Sequence, residues 1–191
     1  MRWQSSGTGL TRPSFAEHGW VWAADSAGTV RAVPTDPGDA EPVRVEAPWL
    51  AARTVTSLRI SRGGTRALVV TQEDGVSQIW LSGVVRGPDG TPRRLNEPYR
   101  VAADVDVDVA LWLSDREFVA APLGSTEAVR PRVYDVSGQY RELPGLVGIT
   151  GISGGNGTSS VYAVASGTLH MLTGNAWAPQ SEDVLDPAFA G

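Results

Sequence analysis

The stretch Val55–Leu81, VTSLRISRGGTRALVVTQEDGVSQIWL, decides the fold. It is a run of alternating or wholly apolar segments, broken at Arg62–Gly64 (RGG) and again at Glu73–Gly75 (EDG). Short apolar runs rich in valine, leucine and isoleucine and bounded by glycine-bearing turns read as strands joined by hairpins. Three other stretches follow the same plan of strand, turn, strand, turn, strand. They are TRPSFAEHGWVWAADSAGTVRAVPT from Thr11, DVALWLSDREFVAAPLGSTEAVRPRVYDV from Asp108 and ITGISGGNGTSSVYAVASGTLHML from Ile149. A weaker strand follows each: EPVRVEA, PRRLNEPYRV, QYRELP and NAWAPQ. The unit therefore has four strands.

Aligning the units on the serine before the first turn gives Ser14, Ser61, Ser114 and Ser153, spaced 47, 53 and 39 residues apart. That spacing matches the roughly 40 to 50 residues of a propeller blade. Gly63-Gly64, Asp89-Gly90 and Asn156-Gly157 supply the residues that tight hairpins need. With 22 glycines and 13 prolines and no sustained 3.6-residue apolar period, helices are expected to be nearly absent. The expected fold is all-β, a β-propeller of about four four-stranded antiparallel blades that forms part of a larger propeller. A β-sandwich shares the pattern of short alternating strands and is the alternative. Inner strands such as ALVV and FVAA, apolar on both faces, and charged outer ones such as PRRLNEPYRV favour the propeller.

The expected organisation is an outer strand of a preceding blade with its linker at 1–9, blades at about 10–48, 53–102, 105–145 and 147–180, and a tail at 181–191. The strand MRWQS (Met1–Ser5) is surplus to the four units, so the chain reads as a fragment whose ring is incomplete or strained.

At 191 residues and 41% hydrophobic, the chain can bury a sizeable core. Its 21 acidic and 16 basic residues give a net charge of −5, which argues against nucleic-acid binding. Nor does any basic amphipathic stretch favour a membrane surface. Every basic residue is arginine, the coding bias of a GC-rich bacterial genome. With no cysteine, disulfides and zinc-thiolate sites are excluded. No apolar run approaches the ~18 residues of a transmembrane helix, and MRWQSSGTGL lacks the apolar core and cleavage site of a signal peptide.

Several motifs invite catalytic or metal chemistry. GISGG (Gly151–Gly155) satisfies G-x-S-x-G with Ser153, but a turn and a strand follow where a nucleophile elbow needs a helix. Between Ser153 and His170 there is no Asp or Glu to complete a triad. His18 and His170 are the only histidines, a poor metal set without cysteine. DVDVD (Asp104–Asp108) clusters carboxylates but lacks the glycine and distal glutamate of an EF-hand-type calcium loop. GTGLT (Gly7–Thr11) carries only two glycines of a dinucleotide fingerprint. No catalytic residue, metal or cofactor is expected.

LTRPSF (Leu10–Phe15), GWVW (Gly19–Trp22), RTVTSLRISRGGTR (Arg53–Arg66) and the final DPAFAG resemble the C-terminal propeller of the actinobacterial lipoprotein LpqB family over nearly the whole chain. The resemblance implies exported lipoproteins with an acylated N-terminal cysteine, membrane-proximal domains including one of the GerMN type, and then the propeller. It also implies an accessory role on the extracellular side of a two-component system whose sensor kinase is called MtrB. This sequence lacks the lipobox cysteine and everything before the propeller, so the anchor would belong to a part of the protein outside it. The family offers no catalytic residues to transfer.

The resulting expectation is a non-enzymatic module, extracytoplasmic and associated with the cell envelope, that binds the extracytoplasmic sensor domain of a histidine kinase and modulates signalling. An envelope glycan-binding or hydrolytic propeller is the alternative. Partner binding is expected on the loops between units and the middle hairpin turns, which hold Asp25, Trp49, Glu73, Asp74, Asp104 and Glu127, with Arg53 and Arg130 as basic exceptions. Trp22, Trp80 and Trp112 are expected to pack between blades, whereas Trp49 is either a partner anchor or a residue buried under a neighbouring blade.

Overall fold

The computed structural model describes residues 9–16, 19–36, 41–155 and 157–185, with backbone alone at 103–105, 155 and 157–160. The expectations for Met1–Ser5, His18, Asn156 and the DPAFAG terminus lie outside the described residues. Two compact units divide the chain, Met1–Ala103 and Asp104–Gly191.

The first unit holds two antiparallel sheets. One comprises β1 (Ser14–Ala16), β2 (Trp20–Ala24), β3 (Val30–Pro34) and β4 (Val43–Val45) in sequential order. The other comprises β5 (Thr54–Ile60), β6 (Arg66–Glu73), β7 (Val76–Arg86) and β8 (Pro92–Leu95), with β9 (Tyr99–Val105) also paired to β7. A 3-10 turn, Pro48–Leu50, lies between the sheets in sequence. The outer strand expected over PRRLNEPYRV is thus two strands. Asn96 to Pro98 interrupt it, Pro98 having no N–H to give a ladder, and the eleven-residue β7 is long enough to take β8 at one end and β9 elsewhere.

Alternation places Trp22, Val30, Ala32 and Val45 of one sheet against Leu58, Ile60, Ala67, Val69 and Trp80 of the next. Like strands adjoin like strands. β1 and β2 pack on β5, and β4 packs on β8 through a parallel bridge, Glu46 to Arg94, with Leu95 N donating to Glu46 O at 2.8 Å. Inner beside inner and outer beside outer is the relation between successive propeller blades.

In the second unit, β10 (Val109–Trp112), β11 (Glu117–Ala121), β13 (Arg132–Asp135) and β14 (Tyr140–Glu142) form one antiparallel sheet. A short ribbon pairs β12 (Ala128–Val129) with β15 (Leu146–Val147). The last sheet is β16 (Ile149–Gly155), β17 (Gly157–Ala165), β18 (Thr168–Thr173) and β19 (Ala176–Ser181). Leu113, Val119, Ala121, Val133 and Leu143 pack against Ile152, Val161, Ala163 and Leu172. The outer strands meet here too, where Trp177 Nε1 donates to Pro144 O at 2.8 Å. On the other face of the first sheet a cross-strand row runs Trp112, Phe118, Tyr134, Tyr140, each opposite the next in register, with ring centroids 5.9, 5.3 and 5.4 Å apart. Such pairs add to sheet stability beyond the area they bury.

The repeat is right in kind but the serine alignment slips. Ser61 and Ser114 do close a first strand, their Oγ atoms accepting from Arg66 N and from Glu117 N, each at 3.1 Å. Ser14 instead opens β1 and accepts from Ile60 N at 2.8 Å, and Ser153 sits inside β16. A serine serves as turn acceptor in one blade and as strand-to-strand acceptor in another, so its spacing alone does not set the register.

Candidate interaction surface

The middle hairpin of the first sheet turns at Asp25, whose carboxylate accepts from Thr29 N at 2.8 Å, while Gly28 N donates to Asp25 O at 3.0 Å. Gly28 has φ +83°, and a Cβ there would collide with the backbone of Leu50, so only glycine lets the 3-10 turn close on the hairpin. Ser26 O accepts from Val55 N at 3.2 Å, tying the hairpin to the start of β5. Beside it Thr54 pairs with Gln72, and β6 runs on to the turn Asp74-Gly75, with φ +51° and +81° as a tight two-residue hairpin requires. Asp25, Trp49, Glu73 and Asp74 therefore belong to one contiguous end of the first unit. Glu73 and Asp74 are exposed.

Glu127 belongs to the second unit, which begins at Asp104, near the end of β9. Asp104 lies in β9 and its side chain is outside the described residues. Glu127 is exposed in the loop before β12, its N–H donating to Ser125 Oγ at 3.2 Å. Arg130 pairs with Glu142 at 3.3 Å. The DVDVD run does not continue as one strand: β9 ends at Val105, Val107 is buried, and Asp108 accepts from Leu123 N at 2.7 Å.

Trp49 sits half-buried on the 3-10 turn, its ring 6.1 Å from that of Trp80. Trp80 is 8% exposed and donates from Nε1 to Thr71 Oγ1 at 2.9 Å, whereas Trp49 Nε1 is buried without an acceptor among the described residues. The guanidinium of Arg53 lies 4.6 Å over the Trp80 ring and donates to Trp49 O; that of Arg100, on β9, is 5.9 Å from the same ring. The surroundings of Trp49 are thus cationic as well as acidic. Arg100 was hidden in the sequence because it counted as part of one outer strand, and the pairing of β9 with β7 is what carries it to Trp80.

Ser153 occupies the interior of β16 opposite Tyr162, 7% exposed, not a strand-to-helix turn. Gly154 beside it has a packing cause: a Cβ there would overlap the Leu113 side chain of the adjoining sheet. His170 is on β18, its Nδ1 buried without a hydrogen bond among the described residues. No group of three or more His, Asp or Glu side chains among the described residues is placed to hold a metal ion. No helix among them is long and apolar enough to cross a membrane.

Four-stranded antiparallel meanders laid inner strand beside inner strand define a β-propeller domain. A solved acylaminoacyl peptidase, in complex with Z-Gly-Gly-Phe-chloromethyl ketone, is similar over 92% of this chain and 33% of its own, with a TM-score of 0.51 and 13% identity. At that identity the likeness concerns the fold alone. The family model described as the lipoprotein LpqB beta-propeller domain matches residues 2–190, and the chain belongs to that family. Lipoprotein LpqB of Thermobifida fusca (strain YX) is 49% identical over 49 residues, which are 26% of this chain and 8% of that protein. The match thus spans less than a tenth of the relative's length.

Proposed function

We propose that this propeller is the non-catalytic interaction module of a cell-envelope lipoprotein, and that it binds the extracytoplasmic sensor domain of a two-component histidine kinase of the MtrB kind and modulates its signalling. Membership of the LpqB propeller family over residues 2–190 carries the reading. In this reading the lipid anchor belongs to a part of the lipoprotein outside this chain. Two features of the structure support it. The hairpin turns at Asp25 and at Glu73-Asp74 project carboxylates from one end of the first unit, beside the aromatic Trp49. Ser153 lies mid-strand, away from the elbow geometry that hydrolysis would need.

Clustered carboxylates steer a basic partner surface and speed its encounter, while a central aromatic supplies more of the contact energy. Binding of the sensor domain to wild type, Trp49→Ala and Glu73→Ala/Asp74→Ala, at low and high salt, tests the reading. Glu73→Ala/Asp74→Ala should slow association at low salt only, and Trp49→Ala should speed dissociation at both. Unchanged kinetics in both variants would remove this face from the reading.

A further inference from the structure

Arg53 and Arg100 converge on one indole. Their guanidinium carbons, 4.6 and 5.9 Å from the Trp80 centroid, therefore lie within roughly 10 Å of each other, about one Debye length. Neither makes an ion pair with a carboxylate among the described residues, in a chain whose net charge is −5. Cation–π contact with Trp80 uses the ring face and leaves the in-plane N–H donors of each guanidinium available. Arg53 commits one of its five donors to Trp49 O. Arg100 is exposed.

Two neighbouring like charges without a counterion form a surface that an anion would complete. A guanidinium fork prefers a carboxylate, which it holds by two parallel hydrogen bonds. Carboxylates two residues apart in an extended strand project from one face about 6.6 Å apart, a span that two guanidinium groups within roughly 10 Å can meet. The half-buried Trp49 ring beside them offers an apolar contact to the chain between.

We infer that Arg53, Arg100 and the Trp49–Trp80 pair form a binding site for an extended acidic peptide segment carrying carboxylates at alternate positions. The site shares Trp49 with the face of the acidic turns, but its guanidinium groups recognise a segment of opposite charge to the one those turns steer. It stands whether or not the partner is a kinase sensor domain.

The test is a calorimetric titration of the chain at low salt with a capped peptide of alternating glutamate and threonine, the same peptide with glutamine for glutamate, inorganic phosphate, and phosphatidylglycerol vesicles. The glutamate peptide should bind, the glutamine peptide at least tenfold more weakly. Arg100→Gln should weaken the glutamate peptide several-fold, and Arg53→Gln/Arg100→Gln at least tenfold. Because Arg53 also holds the Trp49 carbonyl, the exposed single variant Arg100→Gln keeps the test independent of folding. Equal binding of both peptides, or an Arg100→Gln variant that binds as wild type does, would overturn the site. Phosphate or vesicles binding as tightly as the peptide would overturn its assignment to peptide carboxylates.

Discussion

The indole N–H of Trp80 donates to Thr71 Oγ1 at 2.9 Å inside the first unit, while the indole N–H of Trp49, on a ring 6.1 Å away, is buried without an acceptor among the described residues. Two adjacent tryptophans thus carry opposite hydrogen-bond accounts. Thr71→Val should cost about 1–3 kcal/mol, because it strands a buried donor. Trp49→Phe removes a donor that has no partner and should change stability by less than about 1 kcal/mol, with Trp49→Ala costing about 3–5 kcal/mol. Urea unfolding of the three variants checks the order.

Glycine at 28 answers two demands, a positive φ and contact with the Leu50 backbone, whereas Gly75 at φ +81° has open space around its Cβ position. Gly75→Ala should cost about 1–2 kcal/mol, from left-handed strain alone. Gly28→Ala should cost about 1–3 kcal/mol more, since the 3-10 turn must shift. Equal midpoints in urea would show that the turn does not pack on the hairpin as described.

Asp135 closes the hairpin between β13 and β14, its carboxylate accepting from Ser137 Oγ at 2.7 Å, Ser137 N at 2.9 Å and Gln139 N at 3.0 Å. The Ser137 hydroxyl first, and then these amides, hold its pKa below the ordinary carboxylate value. A depressed folded pKa means that the contribution is full above the unfolded value of about 3.9 and is lost as pH falls through the lower folded value. Asp135→Asn should therefore narrow its stability deficit against wild type as pH drops below about 4. A deficit constant from pH 7 to 2 would deny the carboxylate this role.

The blade pattern was legible because the inner strands carry their own signal: β6 alternates into wholly apolar ALVV, and Asp74-Gly75 marks the turn. Trp22 and Trp80 could be placed in blade packing from their positions in hairpins. What stayed hidden depends on contacts distant in sequence. Pro98 splits one apparent strand into β8 and β9, and only the pairing of β9 with β7 brings Arg100 to Trp80. Likewise the sequence context already spoke against GISGG as a nucleophile elbow, but only the Leu113 side chain of the adjoining sheet shows what the small residue at 154 accommodates. The plan of the fourth unit implied a turn at Ser166-Gly167, but not its φ values of +51° and +79°, because serine seldom adopts that conformation.

The central claim, a propeller that binds a histidine kinase sensor domain, is tested most directly by titrating the folded chain with the extracytoplasmic domain of the kinase from the same organism in a calorimeter, at two salt concentrations. Saturable binding that weakens as salt rises is the predicted result. Absence of heat and of any complex at both salts, with near-ultraviolet circular dichroism showing both proteins folded, would contradict it.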